Sequence, residues 1–410
     1  LRQRPHHVPG QPCQAMTTSY RSLVCALIAS AALSGCANLS PSSLSLPSIP
    51  PPSFDWLTGG PNKPGPLPVP KGGASASIVW QASVGKAGSG FAPAITTDAV
   101  YAAASDGTLT RIDPASGHVI WRVNAGHPLS AGPGADTKII AVGTDQGLVL
   151  AFDPQGKPLW TAQVSTTVTA PPLISDKVVI VFSGDGRIYG LAAADGKTLW
   201  VDPRTLPSLT VRNAAGGVVS RGGVFVGTAG GQLLAIAAQT GTIGWDAIVA
   251  VPKGATELER IADVTSLPFV DQNEACAAAF QGRVACFDVV RGTLLWTRDI
   301  SSLAGITGDA KRLYIVDDKG DVQALDRSNG ASIWKQDALA KRHIGGPQII
   351  GDDIGVVDIE GYLHLLSRSD GTYLARLATD GSAPTAQPSQ YGGGILWQSK
   401  SGNVYSVSAH

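Results

Sequence analysis

Short apolar runs separated by glycine-containing turns repeat along most of the chain. Residues 177–183 (KVVIVFS) and 187–193 (RIYGLAA), for example, have the length and composition of β-strands, and a glycine stands between them. The glycine that opens each second run recurs at intervals of 38 to 51 residues, at Gly107, Gly147, Gly186, Gly231, Gly282, Gly320, Gly361 and Gly402. Eight hairpin-containing units at this spacing predict a closed repeat array.

A tryptophan follows six of these glycines after 13 or 14 residues, at Trp121, Trp160, Trp200, Trp245, Trp296 and Trp334. A constant spacing places the indole at the same height in every unit. There it can bury a large apolar surface between neighbouring sheets and donate its N–H to a backbone carbonyl. We therefore expect the tryptophans to wedge each sheet against the next. The seventh unit has Ala375 at this position, which predicts looser packing there.

The two ends of the repeat region complement each other. Residues 77–80 (SIVW) form a strand that ends in a tryptophan but has no hairpin before it, whereas the hairpin around Gly402 has no tryptophan strand after it. If the N-terminal strand completes the last sheet, the ring has no open edge. The predicted fold of residues 77–410 is all-β, an eight-bladed β-propeller with four-stranded antiparallel blades.

Composition agrees with an all-β chain and excludes one class of partner. Charged residues make up only 15% of the sequence, and it contains 49 glycines and 28 prolines. Lys and Arg total 31, as do Asp and Glu, so no net positive charge attracts nucleic acid. We predict no nucleic-acid partner.

The segment before the repeats carries an export signal. Met16 is the only methionine, and Arg21, an apolar run over residues 23–33 and the motif LSGC ending at Cys36 follow it. This motif resembles the lipobox of bacterial lipoproteins, which implies a signal peptide over residues 16–35 and an acylated Cys36. The apolar run is well short of the roughly 20 residues that a spanning helix needs. Residues 1–15 have no targeting pattern, and we expect them to be a non-native upstream extension.

Residues 36–76 are rich in proline, serine and glycine. Proline lacks a backbone donor and favours extended conformations, so we expect a semi-rigid linker between the lipidated Cys36 and the propeller.

Catalytic and metal-binding patterns are missing from the sequence. None of the seven histidines stands in an HExxH or CxxC/HxxxH spacing, and no GxSxG motif occurs. His364 lies between two leucines of a predicted strand, where a satisfied core side chain is expected. We predict no catalytic residues, no metal and no cofactor, and therefore no enzyme.

Cys276 and Cys286 flank the hairpin turn near Gly282. A three-residue turn centred on Gln281 would place them face to face, where an oxidising compartment permits a disulfide. Two buried free thiols remain the alternative.

The repeat is lengthened at two adjacent places. From tryptophan to the next turn glycine the chain takes 24 to 27 residues, except for 31 after Trp200 and 37 after Trp245. Both insertions follow an outer strand, so they should project from the same face and form a candidate binding surface. The alternative is that they are only longer surface loops.

The repeats resemble the quinoprotein-type (PQQ-like) propeller repeat. Together with the lipobox and the linker they resemble the BamB family of lipoproteins. This implies a non-catalytic scaffold at the periplasmic face of the outer membrane. It would assist insertion of β-barrel proteins, binding a periplasmic POTRA domain of BamA directly and the other assembly lipoproteins indirectly. By resemblance, LPSLTVR implies that Leu209, Val211 and Arg212 bind the partner, and LERIADVT implies the same for Arg260 and Asp263.

The alternative function is a periplasmic PQQ dehydrogenase or a ligand sensor that uses the central funnel. Quinoprotein dehydrogenases carry a vicinal cysteine pair, which this chain lacks.

Overall fold

The chain forms an eight-bladed β-propeller. The computed structural model describes residues 64–211 and 216–410. They contain eight four-stranded antiparallel sheets, and the first strands of sheets that follow one another along the chain are in contact. The fold predicted from the repeat is therefore confirmed. No helix within the described ranges is long and apolar enough to cross a membrane.

Each blade runs from a short inner strand to an outer strand. Blades 1 to 4 consist of β2 (Ala94–Ile95), β3 (Val100–Ala103), β4 (Thr108–Ile112) and β5 (Val119–Asn124); β6 (Gly134–Ala135), β7 (Ile140–Gly143), β8 (Leu148–Phe152) and β9 (Pro158–Gln163); β10 (Leu173–Ser175), β11 (Val178–Phe182), β12 (Ile188–Ala192) and β13 (Thr198–Asp202); and β14 (Gly217–Ser220), β15 (Gly223–Gly227), β16 (Gln232–Ala237) and β17 (Ile243–Ile248). Blades 5 to 8 consist of β18 (Phe269–Val270), β19 (Glu274–Ala278), β20 (Val284–Asp288) and β21 (Leu294–Arg298); β22 (Gly305–Gly308), β23 (Arg312–Val316), β24 (Val322–Asp326) and β25 (Ser332–Gln336); β26 (Gln348–Ile350), β27 (Asp353–Val357), β28 (Tyr362–Ser367) and β29 (Tyr373–Ala378); and β30 (Ser389–Tyr391), β31 (Gly394–Gln398), β32 (Asn403–Ala409) and β1 (Ala76–Ser83).

The N-terminal strand closes the ring as predicted. β1 pairs antiparallel with β32, from Ala76 opposite Ala409 to Ser83 opposite Asn403. The last blade therefore takes its outer strand from the beginning of the propeller, so β32 is not left as an unpaired edge strand.

The connections between blades share one face with the central hairpin turns. A Cβ added to Gly231, in the turn between β15 and β16, would lie 2.3 Å from the carbonyl oxygen of Ala250, which follows the outer strand β17. Likewise, a Cβ added to Gly147, in the turn between β7 and β8, would lie 2.8 and 2.7 Å from the carbonyl oxygens of Val164 and Thr166, which follow the outer strand β9. We call this side of the disc the connector face.

The tryptophans lie between neighbouring blades. Seven outer-strand indoles each donate their N–H to a backbone carbonyl of the next blade at 2.6 to 3.1 Å: Trp80 to Pro114, Trp121 to Pro154, Trp160 to Ala193, Trp200 to Ala238, Trp245 to Val289, Trp296 to Arg327, and Trp334 to Arg368. Each indole also packs against the glycine of that blade's outermost turn. The predicted wedge is confirmed, including the seventh tryptophan that the N-terminal strand supplies.

A β-bulge accompanies each of these tryptophans. In blade 1, Trp121 pairs with Arg111 and Val119 pairs with Ile112, so Ile120 has no partner. The same shift occurs in the outer pair of every blade. The bulge turns the indole toward the next blade and leaves the residue before it pointing outward, as with Ile120 at 47% exposure.

Two glycines with the same backbone conformation isolate the contribution of the wedge. Gly371 (φ 75°) and Gly381 (φ 76°) are both left-handed, but a Cβ on Gly371 would lie 2.5 Å from the Trp334 ring, whereas a Cβ on Gly381 would meet nothing within 4 Å. We expect Gly381→Ala to cost about 1–2 kcal/mol through its backbone alone. Gly371→Ala should cost about 1–3 kcal/mol more through overpacking, as measured by urea denaturation. Equal losses would show that the wedge adds nothing at this junction.

The structure joins Cys276 and Cys286 in a disulfide. They lie directly opposite each other on β19 and β20, and Gln281 takes a left-handed conformation (φ 48°) in the turn between them. This geometry favours the disulfide over two free thiols.

Removing this disulfide should destabilise blade 5 measurably. The two cysteines are 10 residues apart, and closing a loop of this size contributes about 2–4 kcal/mol. We expect that loss in the double variant Cys276→Ala/Cys286→Ala. In the unfolded wild type, Cys276 and Cys286 should react with an alkylating agent only after the disulfide has been reduced. Alkylation without reductant, detected by mass spectrometry, would contradict the pairing.

Candidate functional site

Two long connectors stand next to each other on the connector face. The first long connector, residues 203–216, joins β13 to β14, and the second, residues 249–268, joins β17 to β18. The other six connectors between blades have 6 to 11 residues. Both long connectors follow an outer strand and lead to the next inner strand, so they occupy adjacent positions around the ring.

Asp263 links the two long connectors. Its Oδ2 accepts a hydrogen bond from the backbone N–H of Val211 at 2.6 Å, and its Oδ1 accepts one from Gly230 at 2.9 Å. Gly230 belongs to the turn between β15 and β16, so a single carboxylate joins both connectors to blade 4. Asp263 is only 3% exposed, and burial strengthens such charge-assisted bonds. The prediction that the two insertions share a face is confirmed.

The first long connector is held at its beginning by a polar contact and then by an apolar one. The guanidinium of Arg204 donates to Asp202 at 2.9 Å and to Gln232 at 3.1 Å. Leu206 then packs over Gly186, where an added Cβ would lie 2.8 Å from its Cδ2. This contact fixes the path of the connector toward the partner residues predicted from the sequence.

The predicted partner residues of the first long connector differ in accessibility. Leu209 is 44% exposed, while Val211 is half-buried beside Asp263. Arg212 and the predicted lipidation site Cys36 lie outside the described residues. The accessible apolar group at this position is therefore Leu209.

The second long connector is organised by its own side chains and by Gln281. The Glu259 carboxylate accepts from the backbone N–H groups of Thr256 and Ala255, at 3.0 and 2.8 Å, and these bonds hold the pKa of Glu259 below its ordinary value. The Gln281 carboxamide nitrogen, oriented by the acceptors around it, lies 3.1 to 3.2 Å from the carbonyl oxygens of Leu258, Glu259 and Ile261. The connector is thus tied to the turn of blade 5.

The two residues predicted from the second long connector take different positions. Arg260 is exposed, and its Nε donates to the carbonyl of Gly254 at 3.0 Å, so the side chain folds back over its own loop. Asp263 is buried, with both carboxylate oxygens used by backbone N–H groups. Arg260 is therefore accessible to a partner, whereas Asp263 holds the backbone of the two connectors in place.

A cavity of about 620 Å³ opens beside the first long connector. Its walls come from blades 3 and 4, from both long connectors and from the connectors before blades 2 and 3, and include Thr166, Arg187, Leu206, Val211 and Asp263. Both apolar and polar side chains line it, a mixture that is common at protein interfaces. Spacing along the sequence does not predict this cavity, because its walls come from connectors and turns of several blades.

The described residues contain one close group of three potential metal ligands, Glu274, Cys276 and Cys286. The two cysteines are joined in the disulfide, and Glu274 binds Arg327 at 2.5 Å. This group therefore offers no free thiolate to a metal. His364, predicted to be a core residue, is fully buried and bonds to Asp358 at 2.9 Å and to Tyr373 at 3.0 Å. A funnel of about 1010 Å³ lies on the axis, lined by the inner strands and the connectors.

Fold and connector geometry define the class of protein: an eight-bladed propeller of the PQQ-like repeat type, with its two longest connectors locked together on one face. Residues 105–336 match the family model described as outer membrane protein assembly factor BamB. The chain belongs to this family.

Relatives and solved structures agree with this assignment. The protein is 41% identical over 350 residues to the outer membrane protein assembly factor BamB of Bordetella pertussis, which covers 85% of this chain and 91% of that protein. The crystal structure of BamB from Moraxella catarrhalis is similar with a TM-score of 0.75 at 26% identity, over 82% of this chain and all of that one. The quinohemoprotein alcohol dehydrogenase of Comamonas testosteroni shares the fold alone, with a TM-score of 0.64 at 14% identity over 81% of this chain and 76% of that one.

Replacing Asp263 by asparagine tests its positioning role. A carboxamide has one acceptor oxygen and cannot serve both N–H groups, so Val211 or Gly230 loses its partner, at a cost of about 1–3 kcal/mol. We expect hydrogen exchange at one of these two amides to accelerate. The matched control is Glu257→Gln, since Glu257 is 63% exposed in a weak pair with Arg260. Unchanged exchange in Asp263→Asn would contradict the proposed link.

Proposed function

We propose that the protein is a non-catalytic scaffold that assists the folding and insertion of outer-membrane β-barrel proteins. Its connector face would bind a periplasmic POTRA domain of BamA, and the other lipoproteins of the machinery would be reached indirectly through BamA. An acylated Cys36 would hold it at the periplasmic face of the outer membrane, because several acyl chains anchor a protein stably. Membership of the BamB family supports this role.

One observation carries the proposal: Asp263 holds the two longest connectors together as a single surface. That surface presents Leu206 at 43%, Leu209 at 44% and Leu258 at 67% exposure. Exposed leucines on a preordered backbone, next to polar side chains, have the composition of a protein interface. Preordering also lowers the entropy that the connectors would lose on binding.

The predicted residues then have separate roles. Leu209 would supply an apolar contact at the centre, and Arg212 a charged hydrogen-bonding contact next to it. Val211 would support both through its backbone bond to Asp263. Arg260 would contact the partner at the rim after leaving the Gly254 carbonyl, and Asp263 would act through the backbone that it positions.

The alternative function, a quinoprotein dehydrogenase or a ligand sensor, depends on the axial funnel. At 14% identity, the similarity to a quinohemoprotein dehydrogenase is a similarity of fold alone, and propeller folds serve many different functions. No specific contact in the funnel favours this alternative over the connector face.

Co-purification with BamA from solubilised membranes tests the proposed face. We expect Arg212→Glu and Leu209→Asp each to weaken binding by roughly thirtyfold, the effect of losing a contact of about 2 kcal/mol. Thermal unfolding should stay near that of the wild type, because Leu209 is already exposed.

Two variants elsewhere on the disc serve as controls. Leu159, on an outer strand, is 49% exposed, and Arg291 is exposed in a turn on the opposite face. Leu159→Asp and Arg291→Glu should bind BamA as the wild type does. Wild-type binding by Arg212→Glu and Leu209→Asp would refute the assignment of this face.

A further inference from the structure

The junction between blades 7 and 8 differs from the other seven. Ala375 of β29 takes the place of the tryptophan, opposite Leu365 and next to the bulged Leu374. At the other junctions the indole packs against a turn glycine of the next blade. Blade 8 has no such turn, because its third strand ends at Ala409 and its fourth begins at Ala76. An indole at position 375 would have no turn to pack against.

Residues 64–75, which we call the strap, occupy this junction instead. The backbone N–H of Ser75 donates to the carbonyl of His410 at 3.0 Å, and His410 donates back to Ser75 at 2.8 Å. Lys71 and Gly72 donate to the carbonyls of Tyr373 and Leu374 at 2.9 and 3.1 Å.

The strap also covers apolar surface. Ala74 packs, together with Ala375, against the buried cluster that contains Trp397. The position with looser predicted packing is therefore covered by a segment from before the propeller.

The other end of the strap is held on the connector face. Gly65 donates its N–H to the carbonyl of Lys341 at 3.1 Å and accepts a bond of 2.5 Å from the guanidinium of Arg342. Both residues belong to the connector between β25 and β26, on the same face as the two long connectors. Midway, Arg376 of β29 donates to the carbonyl of Pro68 at 3.1 Å, so the strap crosses the full height of blade 7.

Arg342 is held rigidly by acidic side chains and binds the strap at Gly65. Its side chain is only 3% exposed, and it donates to Asp358 at 2.8 and 2.5 Å and to Glu360 at 2.6 Å. Asp358 is fully buried and also binds His364 at 2.9 Å. These partners fix the guanidinium, and its remaining Nη1 points at Gly65. A preorganised donor binds a carbonyl at a smaller entropic cost than a mobile side chain does.

We propose that the strap has two roles. It seals the one junction among the described blades that has no tryptophan wedge. It also fixes, on the connector face beside Arg342, the point at which the N-terminal segment reaches the propeller. Residues 64–75 of the predicted linker are then a docked element and not a spacer. Neither role depends on the partner proposed above.

Hydrogen exchange of the full-length chain, followed by mass spectrometry, tests both roles. In the wild type, the amides of Gly65, Lys71, Ser75 and His410 should be protected. Gly72 has φ 82°, which proline cannot adopt, and Gly72→Pro also removes a donor. We expect this variant to accelerate exchange at Lys71, Ser75 and His410 about tenfold or more.

Val69→Pro is the matched control within the strap. Val69 is 87% exposed, lies between two prolines and contributes no hydrogen bond to the described contacts. This variant should leave all four amides protected. For the connector-face end, Arg342→Lys keeps the charge opposite Asp358 but loses the planar fork. It should accelerate exchange at Gly65 while leaving Ser75 and His410 protected.

Each role can fail by its own result. Exchange of the strap amides at free-peptide rates in the wild type would overturn both roles. Wild-type exchange at His410 in Gly72→Pro would overturn the sealing of the junction. Wild-type exchange at Gly65 in Arg342→Lys would overturn the fixed point on the connector face.

Discussion

The contact between an indole and the turn glycine of the next blade is the interaction on which the rest of the structure depends. A four-stranded sheet has two faces and cannot bury both alone, so each blade needs its neighbours. The tryptophan supplies the apolar area, and its N–H binds a carbonyl of that neighbour, as Trp296 does with Arg327 at 2.6 Å. Gly330 packs against the same ring. A Cβ at this position would lie 2.5 Å from the ring, so only glycine fits without a shift. Tryptophan and glycine are thus a matched pair in two different blades.

This frame makes the connectors free to vary. A connector leaves from an outer strand and enters an inner strand, and both ends are fixed by the blades. Additional residues between those points project from the face without changing the packing of the sheets. The two long connectors use this freedom, and Asp263 joins them by accepting hydrogen bonds from Val211 and Gly230.

Periodicity predicts the blade number, the closing strand and the face of the insertions, because all three follow from spacing alone. The opposition of Cys276 and Cys286 is also predictable, since a hairpin turn sets the register. Spacing does not reveal which way a loop side chain turns. Family resemblance implies that Asp263 binds the partner, and only the fold shows that its carboxylate is directed at two backbone amides. The strap was equally hidden, because a proline-rich segment satisfies few of its own backbone groups whether it is free or docked on another strand.

The departures from the repeat are of two kinds, and closure of the ring distinguishes them. Ala375 stands where blade 8 has no outermost turn, so a propeller closed by its own N-terminal strand loses the reason for a tryptophan there. The lack of a tryptophan at position 375 is thus explained by the closure of the ring alone. The long connectors lie at the junctions of blades 3, 4 and 5, far along the chain from the closure, where Trp200 and Trp245 form ordinary wedges. Nothing in the packing of the ring requires extra residues at these junctions. The buried carboxylate of Asp263, which joins these residues, therefore supports the proposal that a partner binds this face.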